Sequence, residues 1–226
     1  MESSVDQQSI TNEYESKRTE IEDILSCLRN LVVESKCSLE GNSFYTHATL
    51  DLYPCLYSKQ LNLFWSGKQA EKRICEIGFN AGHSTMLLLL GNLYEDLNFT
   101  VFDIGHHKYT RPCLEYIKTR FSKVNFEYVE GDSTLTMPKW IESNRPLCGM
   151  YDVVHVDGGH SDHCIINDMK NSDVLVKING IIIVDDSHCD NINRVINAYI
   201  HSGKYIEVGI LKTEGYKHRI IRKIRI

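Results

Sequence analysis

The stretch Arg73-Ile-Cys-Glu-Ile-Gly-Phe-Asn-Ala-Gly-His83 decides the fold of this chain. It reads as a short buried strand ending in an acid, then a glycine turn, then the apolar helix start Ser84-Thr-Met-Leu-Leu-Leu-Leu90. Such a turn lets backbone N–H groups approach a ligand without interference from Cβ. A dinucleotide site asks for G-x-G-x-x-G at this position. Here the spacing is Glu76-x-Gly78-x-Asn80-x-Gly82, with a carboxylate ahead of the first glycine and no glycine at position 80. A carboxylate aimed into the site repels a diphosphate and suits an ammonium or sulfonium ligand.

Outward from this turn, strands and helices alternate. Ile74–Ile77, Phe99–Ile104, Asn125–Val129, Tyr151–Val156 and Gly180–Val184 read as strands. Between and after them, Ser84–Tyr94, Thr110–Ser122, Leu135–Glu142, Asp162–Val176 and Asn191–His201 read as helices. That rhythm specifies a parallel sheet with helices on both faces. The runs Tyr205–Thr213 and Tyr216–Ile226, joined across Glu214-Gly215, break it and predict an antiparallel hairpin.

Upstream, Ile21, Ile24, Leu25, Leu28, Leu31 and Val32 recur at helical spacing, which predicts one amphipathic helix from Glu13 to Cys37. Residues 1 to about 12 read as a frayed tail. Cys55 to Trp65 reads as a shorter helix that, with the loop 39–54, caps the ligand edge. The expected division is therefore a tail and helical cap over 1–66 and an α/β domain over 67–226. Phe44, Tyr45, His47, Tyr53, Tyr57, Phe64 and Trp65 are the candidate acceptor-pocket walls in the cap.

At 226 residues the chain suits one such domain. Its net charge of −5 offers no basic footprint for nucleic acid. The eight cysteines show no C-x-x-C pair and no zinc spacing, which fits a reducing compartment. The polar start Met1-Glu-Ser-Ser lacks a signal-type apolar run, and no stretch reaches membrane-spanning length. The expectation is a cytoplasmic protein away from membranes, with its N-terminal helix packed on its own domain or, in a homo-oligomer, on a second copy.

With Glu76-Ile-Gly-Phe-Asn-Ala-Gly82 and the terminal hairpin, about Lys68 to Ile226 resembles the class I S-adenosylmethionine-dependent methyltransferases. The resemblance implies a doubly wound, Rossmann-like α/β fold. Its seven-stranded sheet is parallel except for a last strand lying antiparallel beside the fifth. It also implies cofactor contacts. Gly78, Phe79, Asn80 and Gly82 lie under the methionine part, with Glu76 and Ser84 nearby. Asp103 takes the ribose hydroxyls, and Asp132 and Ser133 take the adenine. A strand-end acid also serves as a turn or helix cap, so the signal lies in three seats in order.

Strand four ends in His155-Val-Asp157-Gly-Gly-His160 and strand five in Ile183-Val-Asp185-Asp186-Ser-His188. In a parallel sheet both emerge at the C-terminal edge, about 5 Å apart. Carboxylates so close repel unless a hard divalent cation such as Mg²⁺ joins them; otherwise they only cap the following helices. Asp157, Asp185 and Asp186 are thus the expected metal ligands, with Asp157 counted among the cofactor contacts as well. The pattern resembles metal-dependent O-methyltransferases of the catechol type and, more closely, of the macrocin type that acts on sugar hydroxyls. That resemblance places His160 as general base toward a small hydroxylated acceptor, sugar or catechol-like. His163 and His188 are expected to orient the acids, His155 to be a core residue, and His83 to donate at the turn or cap the helix. An NAD-dependent oxidoreductase fails at Asn80, whereas a metal-dependent hydrolase or an inactive cofactor-binding module stays open.

Overall fold

A computed structural model describes residues 7–40, 42–45, 50–92, 94, 96–208 and 217–226. Five strands follow the expected alternation: β1 (Arg73–Ile77), β2 (Asn98–Asp103), β3 (Asn125–Glu130), β4 (Tyr151–Val156) and β5 (Val176–Val184). They are parallel to their neighbours, and β7 (Arg219–Lys223) runs antiparallel between β5 and β6 (Tyr205–Glu207). The sheet order is β3-β2-β1-β4-β5-β7-β6, as the resemblance implied. The chain winds outward from β1 to β3 and then returns to the centre at β4. The ends of β1 and β4, paired at Ile77 and Val156, therefore flank the crevice where such sheets bind ligands.

The central strands are apolar on both faces because helices cover both. β4 is buried at every position and β1 at all but Arg73. The helices that follow the strands are α4 (His83–Gly91), α5 (Thr110–Arg120), α6 (Ser133–Ser143), α7 (Asp162–Leu175) and α8 (Asp190–His201). α4 has no solvent face, since every residue in it is buried. Its cover is α3 (Tyr57–Lys68), itself buried from Lys59 to Gly67 despite a polar sequence. Glycines bring the two backbones together. A Cβ on Gly67 would run into the Leu88 carbonyl, and one on Gly91 into that of Phe64. The buried polar groups of α3 find partners, as burial demands. Tyr14 Oη donates to Gln60 Oε1 at 2.8 Å, and Gln60 Nε2 donates to the Ser43 carbonyl at 2.7 Å.

Several expectations need adjusting. The single N-terminal helix is two, α1 (Gln7–Ser16) and α2 (Arg18–Ser35), divided at Lys17. Residues 7–12 are helical rather than frayed, because Ile10 and Tyr14 bury on the body and Tyr14 packs edge-on against Tyr57 and Phe64. β5 begins at Val176, not Gly180, with a register shift against β4 between Tyr151 and Val153. The expected turn at Glu214-Gly215 and the candidate wall residue His47 lie outside the described residues. All eight cysteines are free. No helix among the described residues is long and apolar enough to cross a membrane.

Candidate active site

A cavity of about 480 Å³ opens over the C-terminal ends of β1, β2 and β4. Its floor is the turn Gly78 to Ala81, and its walls include Asp103, Asp132, Ser133, Asp157, His160 and Asp186. Positive φ at Gly78, Asn80 and Gly82 (90°, 53° and 80°) gives the turn its shape. Asn80 fills a left-handed position that asparagine tolerates better than most residues. Gly78 has no substitute, because a Cβ there would strike the Asp157 carbonyl.

Asp103 organises this floor. Its Oδ2 accepts the N–H groups of Phe79 (2.7 Å) and Asn80 (2.9 Å), and its Oδ1 that of Gly105 (2.7 Å). The acid at the end of β2 is therefore welded to the turn after β1 while still lining the cavity. Asp132 caps α6: its Oδ1 accepts from Thr134 N at 2.9 Å and Thr134 Oγ1 at 2.8 Å. These bonds from Thr134 hold the Asp132 carboxyl below its ordinary range. Ser133 donates to Asp168 at 2.7 Å, and Ser84 to Glu76 at 2.6 Å.

Glu76 departs from the expectation of an acid aimed into the site. It is fully buried and absent from the cavity wall. Its carboxylate accepts from Ser84 Oγ and Thr85 Oγ1 at the start of α4, and lies 3.0 Å from His155 Nδ1. The negative end of the strand serves the first turn of the helix instead. Burial works against a charged His155, but Glu76 outweighs it and raises the imidazole above its usual value.

The acids of β4 and β5 are arranged differently from the single cage expected. Two sets of ligand-type atoms lie within 4.8 Å of one another: His155, Asp157 and Asp185, and Asp157, His160 and Asp186. Neither set holds all three acids. Asp185, 3 % exposed, pairs with the Nζ of Lys59 from α3, itself 4 % exposed. Asp186 lies 2.8 Å from His160 Nε2 and 3.8 Å from His188 Nδ1. Burial would raise the Asp185 carboxyl, yet Lys59 outweighs it and holds it low. Burial, then Asp185, raises that of Asp157. As they stand, the three acids do not fit one shared divalent cation: the doublet is divided between an ammonium and an imidazole.

Lys59 escaped the sequence reading, although it is the buried cation nearest this cluster. A lysine early in a polar helix reads as solvent-facing, and only the α3–α4 crossing puts it underneath. The other histidines vary. His83 is buried against Phe44 and Tyr45, and burial pushes it down to about 4. His163 is exposed and contacts Asn167 rather than an acid of the cluster. His106 and His107 both line the cavity, their ring centroids 3.9 Å apart and their planes tilted by 38°. The expected aromatic acceptor wall is also corrected. Phe44, Tyr45, Phe64 and Trp65 belong to the core, and the cap contributes Glu40, Asn42 and Ser43 to the cavity instead. Large aromatic side chains gain more from complete burial than from lining a wet mouth.

The family described as "Methyltransferase domain" matches residues 75–187, half of the chain, from the middle of β1 through the Asp185-Asp186 doublet. No curated protein matches the sequence. Solved structures match in fold at low identity. An O-methyltransferase from Bacillus cereus, in complex with SAH, is 16% identical with a TM-score of 0.60, covering 90% of this chain and 91% of that one. CalS11, a TDP-rhamnose 3'-O-methyltransferase of calicheamicin biosynthesis, is 12% identical with a TM-score of 0.55, over 73% and 76%. A precorrin-6y C5,15-methyltransferase from Geobacter metallireducens is 14% identical with a TM-score of 0.53, over 80% and 94%. At such identities the likeness is one of fold, and the two acceptors named, TDP-rhamnose and precorrin-6y, differ.

Proposed function

The chain belongs to the methyltransferase-domain family, and from that premise we propose that it transfers a methyl group from S-adenosylmethionine to a hydroxyl of a small acceptor. The observation that carries this reading is the cavity over the β1–β4 crevice, where the Asp103-braced turn meets the His160–Asp186 pair. When bound, the cofactor supplies an electrophilic methyl on a sulfonium centre. The chain's own groups do the rest. The turn from Gly78 to Ala81 offers close backbone approach. Asp103, Asp132 and Ser133 lie along the wall where the ribose and adenine would rest. Asp157 and Asp186 put negative charge beside a cationic donor.

His160 is the group suited to the acceptor. Its side chain is 57% exposed at the cavity, and Asp186 holds its Nε2. The hydrogen bond that its Nε2–H donates to Asp186 is the main cause of its raised proton affinity. With Nε2 so held, Nδ1 is left to take the acceptor's proton, and Asp186 steadies the imidazolium that results. A base paired in this way suits a hydroxyl, which must lose its proton to attack well. We read the acceptor as a sugar or catechol-like alcohol, as in the macrocin-type resemblance. A two-metal hydrolase would need Asp185 available, and Lys59 holds it.

The test is calorimetric titration with S-adenosylhomocysteine and, separately, NADH. Micromolar binding of the first and none of the second supports the reading. Absence of S-adenosylhomocysteine binding overturns it.

A further inference from the structure

Lys59 has no place in the transfer chemistry just described, yet it sits beneath the acids that frame it. Its ammonium pairs with Asp185 below the cavity and is also within electrostatic reach of Asp157 and Asp186. Burying such a pair rarely adds stability over a packed apolar pair of the same volume. Its retention in a helix locked at Gly67 and Gly91 therefore asks for another role. The helix cannot move the lysine away without parting two backbones in contact.

Charge decides what that role is. Asp185 is paired with Lys59, whose ammonium is also within reach of Asp157 at the cavity, while Asp186 is taken up in holding the base His160. A dication shared by these acids would have to displace the Lys59 ammonium from Asp185 or bind beside it against its repulsion.

We infer that the Lys59 ammonium is the resident cation of this acid cluster, standing where a divalent metal was expected, so that the chain binds its sulfonium cofactor without a divalent ion. The inference rests on the methyltransferase reading for the cofactor's identity, but the cation itself is read separately. Lys59 thereby acts as a positioning residue: it fixes Asp185 and, through the shared cluster, the field at Asp157.

Two measurements on the full chain test it. Electron paramagnetic resonance of Mn²⁺ titrated into the wild type is expected to show the ion remaining free at millimolar concentration. S-adenosylhomocysteine affinity is expected to change by less than about twofold between EDTA and excess Mn²⁺, because uncoupled ligands leave each other's binding alone. Lys59→Met uncovers Asp185; its thermal midpoint should fall by about 10 °C in EDTA and be partly restored by Mn²⁺. The paired variant Lys59→Met/Asp185→Asn, neutral at both positions, should fold and show no Mn²⁺ response. Tight Mn²⁺ retention by the wild type, abolished by Asp186→Asn, overturns the inference. That readout holds whether or not S-adenosylhomocysteine binds, so failure of the methyltransferase reading is seen separately.

Discussion

His160 Nε2 and the Asp186 carboxylate meet at 2.8 Å from two successive strand-end loops. Asp186 takes left-handed backbone, with φ at 50°, and consecutive acids at the end of β5 serve different partners. One lines the cavity with a histidine, and the other lies beneath it with a lysine.

If that histidine handles the acceptor proton, His160→Ala should lower methyl transfer by about 100-fold or more. S-adenosylhomocysteine affinity should be unchanged. Isotope transfer from labelled cofactor to a panel of sugar and catechol alcohols, with calorimetry alongside, reads both. A variant that loses cofactor affinity instead would make His160 a structural residue.

Asp103→Ala removes the acceptor for three backbone N–H groups at once. Cofactor affinity should drop at least tenfold, roughly the effect of losing one charge-assisted hydrogen bond. Asp103→Asn keeps part of the bracing and should fall between. Calorimetry with S-adenosylhomocysteine gives the ranking.

Gly67→Ala should destabilise the chain by about 3 kcal/mol, because the added methyl meets backbone that no rotamer change can move. Gly149→Ala is the matched control. It has positive φ of 69° but nothing within 4 Å, so only the conformational cost of about 1 kcal/mol applies. Urea unfolding of both separates packing from backbone strain.

Asp152 predicts an acid limit unrelated to the site. Its Oδ2 accepts from the N–H groups of Glu71, Lys72 and Arg73, and its Oδ1 lies 2.5 Å from Lys177 Nζ. Burial would raise this carboxyl, but Lys177 and the backbone donors outweigh it and hold it low. Its contribution is therefore complete above the unfolded value of about 3.9 and fades as pH falls through the lower folded value. Asp152→Ala should cost about 3 kcal/mol at pH 7. The variant's stability should then vary less than the wild type's between pH 5 and pH 2, as chemical unfolding across that range would report.

The fold was legible because its signals are local. The turn at Gly78–Gly82, the apolar runs of β1 and β4 and the break in rhythm after His201 each declare themselves within a dozen residues. The cavity wall was legible for the same reason, since strand ends in a parallel sheet share one edge. The partners of those acids were not. Glu76 looks like a ligand in sequence because nothing local shows that Ser84, Thr85 and His155 fold over it. Asp185 looks short of a cation because Lys59 is 126 residues away. Hydropathy also misleads in α3, where Lys59, Gln60, Asn62 and Ser66 are buried, and where Lys59 and Gln60 find partners far away in the sequence. The cap aromatics fail on the same ground: whether a ring faces a pocket or a core is decided by the helix beneath it.

The seam of bare glycine between α3 and α4 has a consequence for engineering. A shortened protein beginning at β1 would lose its counter-ion along with its lid, and would be left with an uncompensated acid where the lysine had been. Grafting the front of a relative onto this sheet would do the same unless the donor brought both a basic side chain at the matching turn and a residue small enough for the crossing.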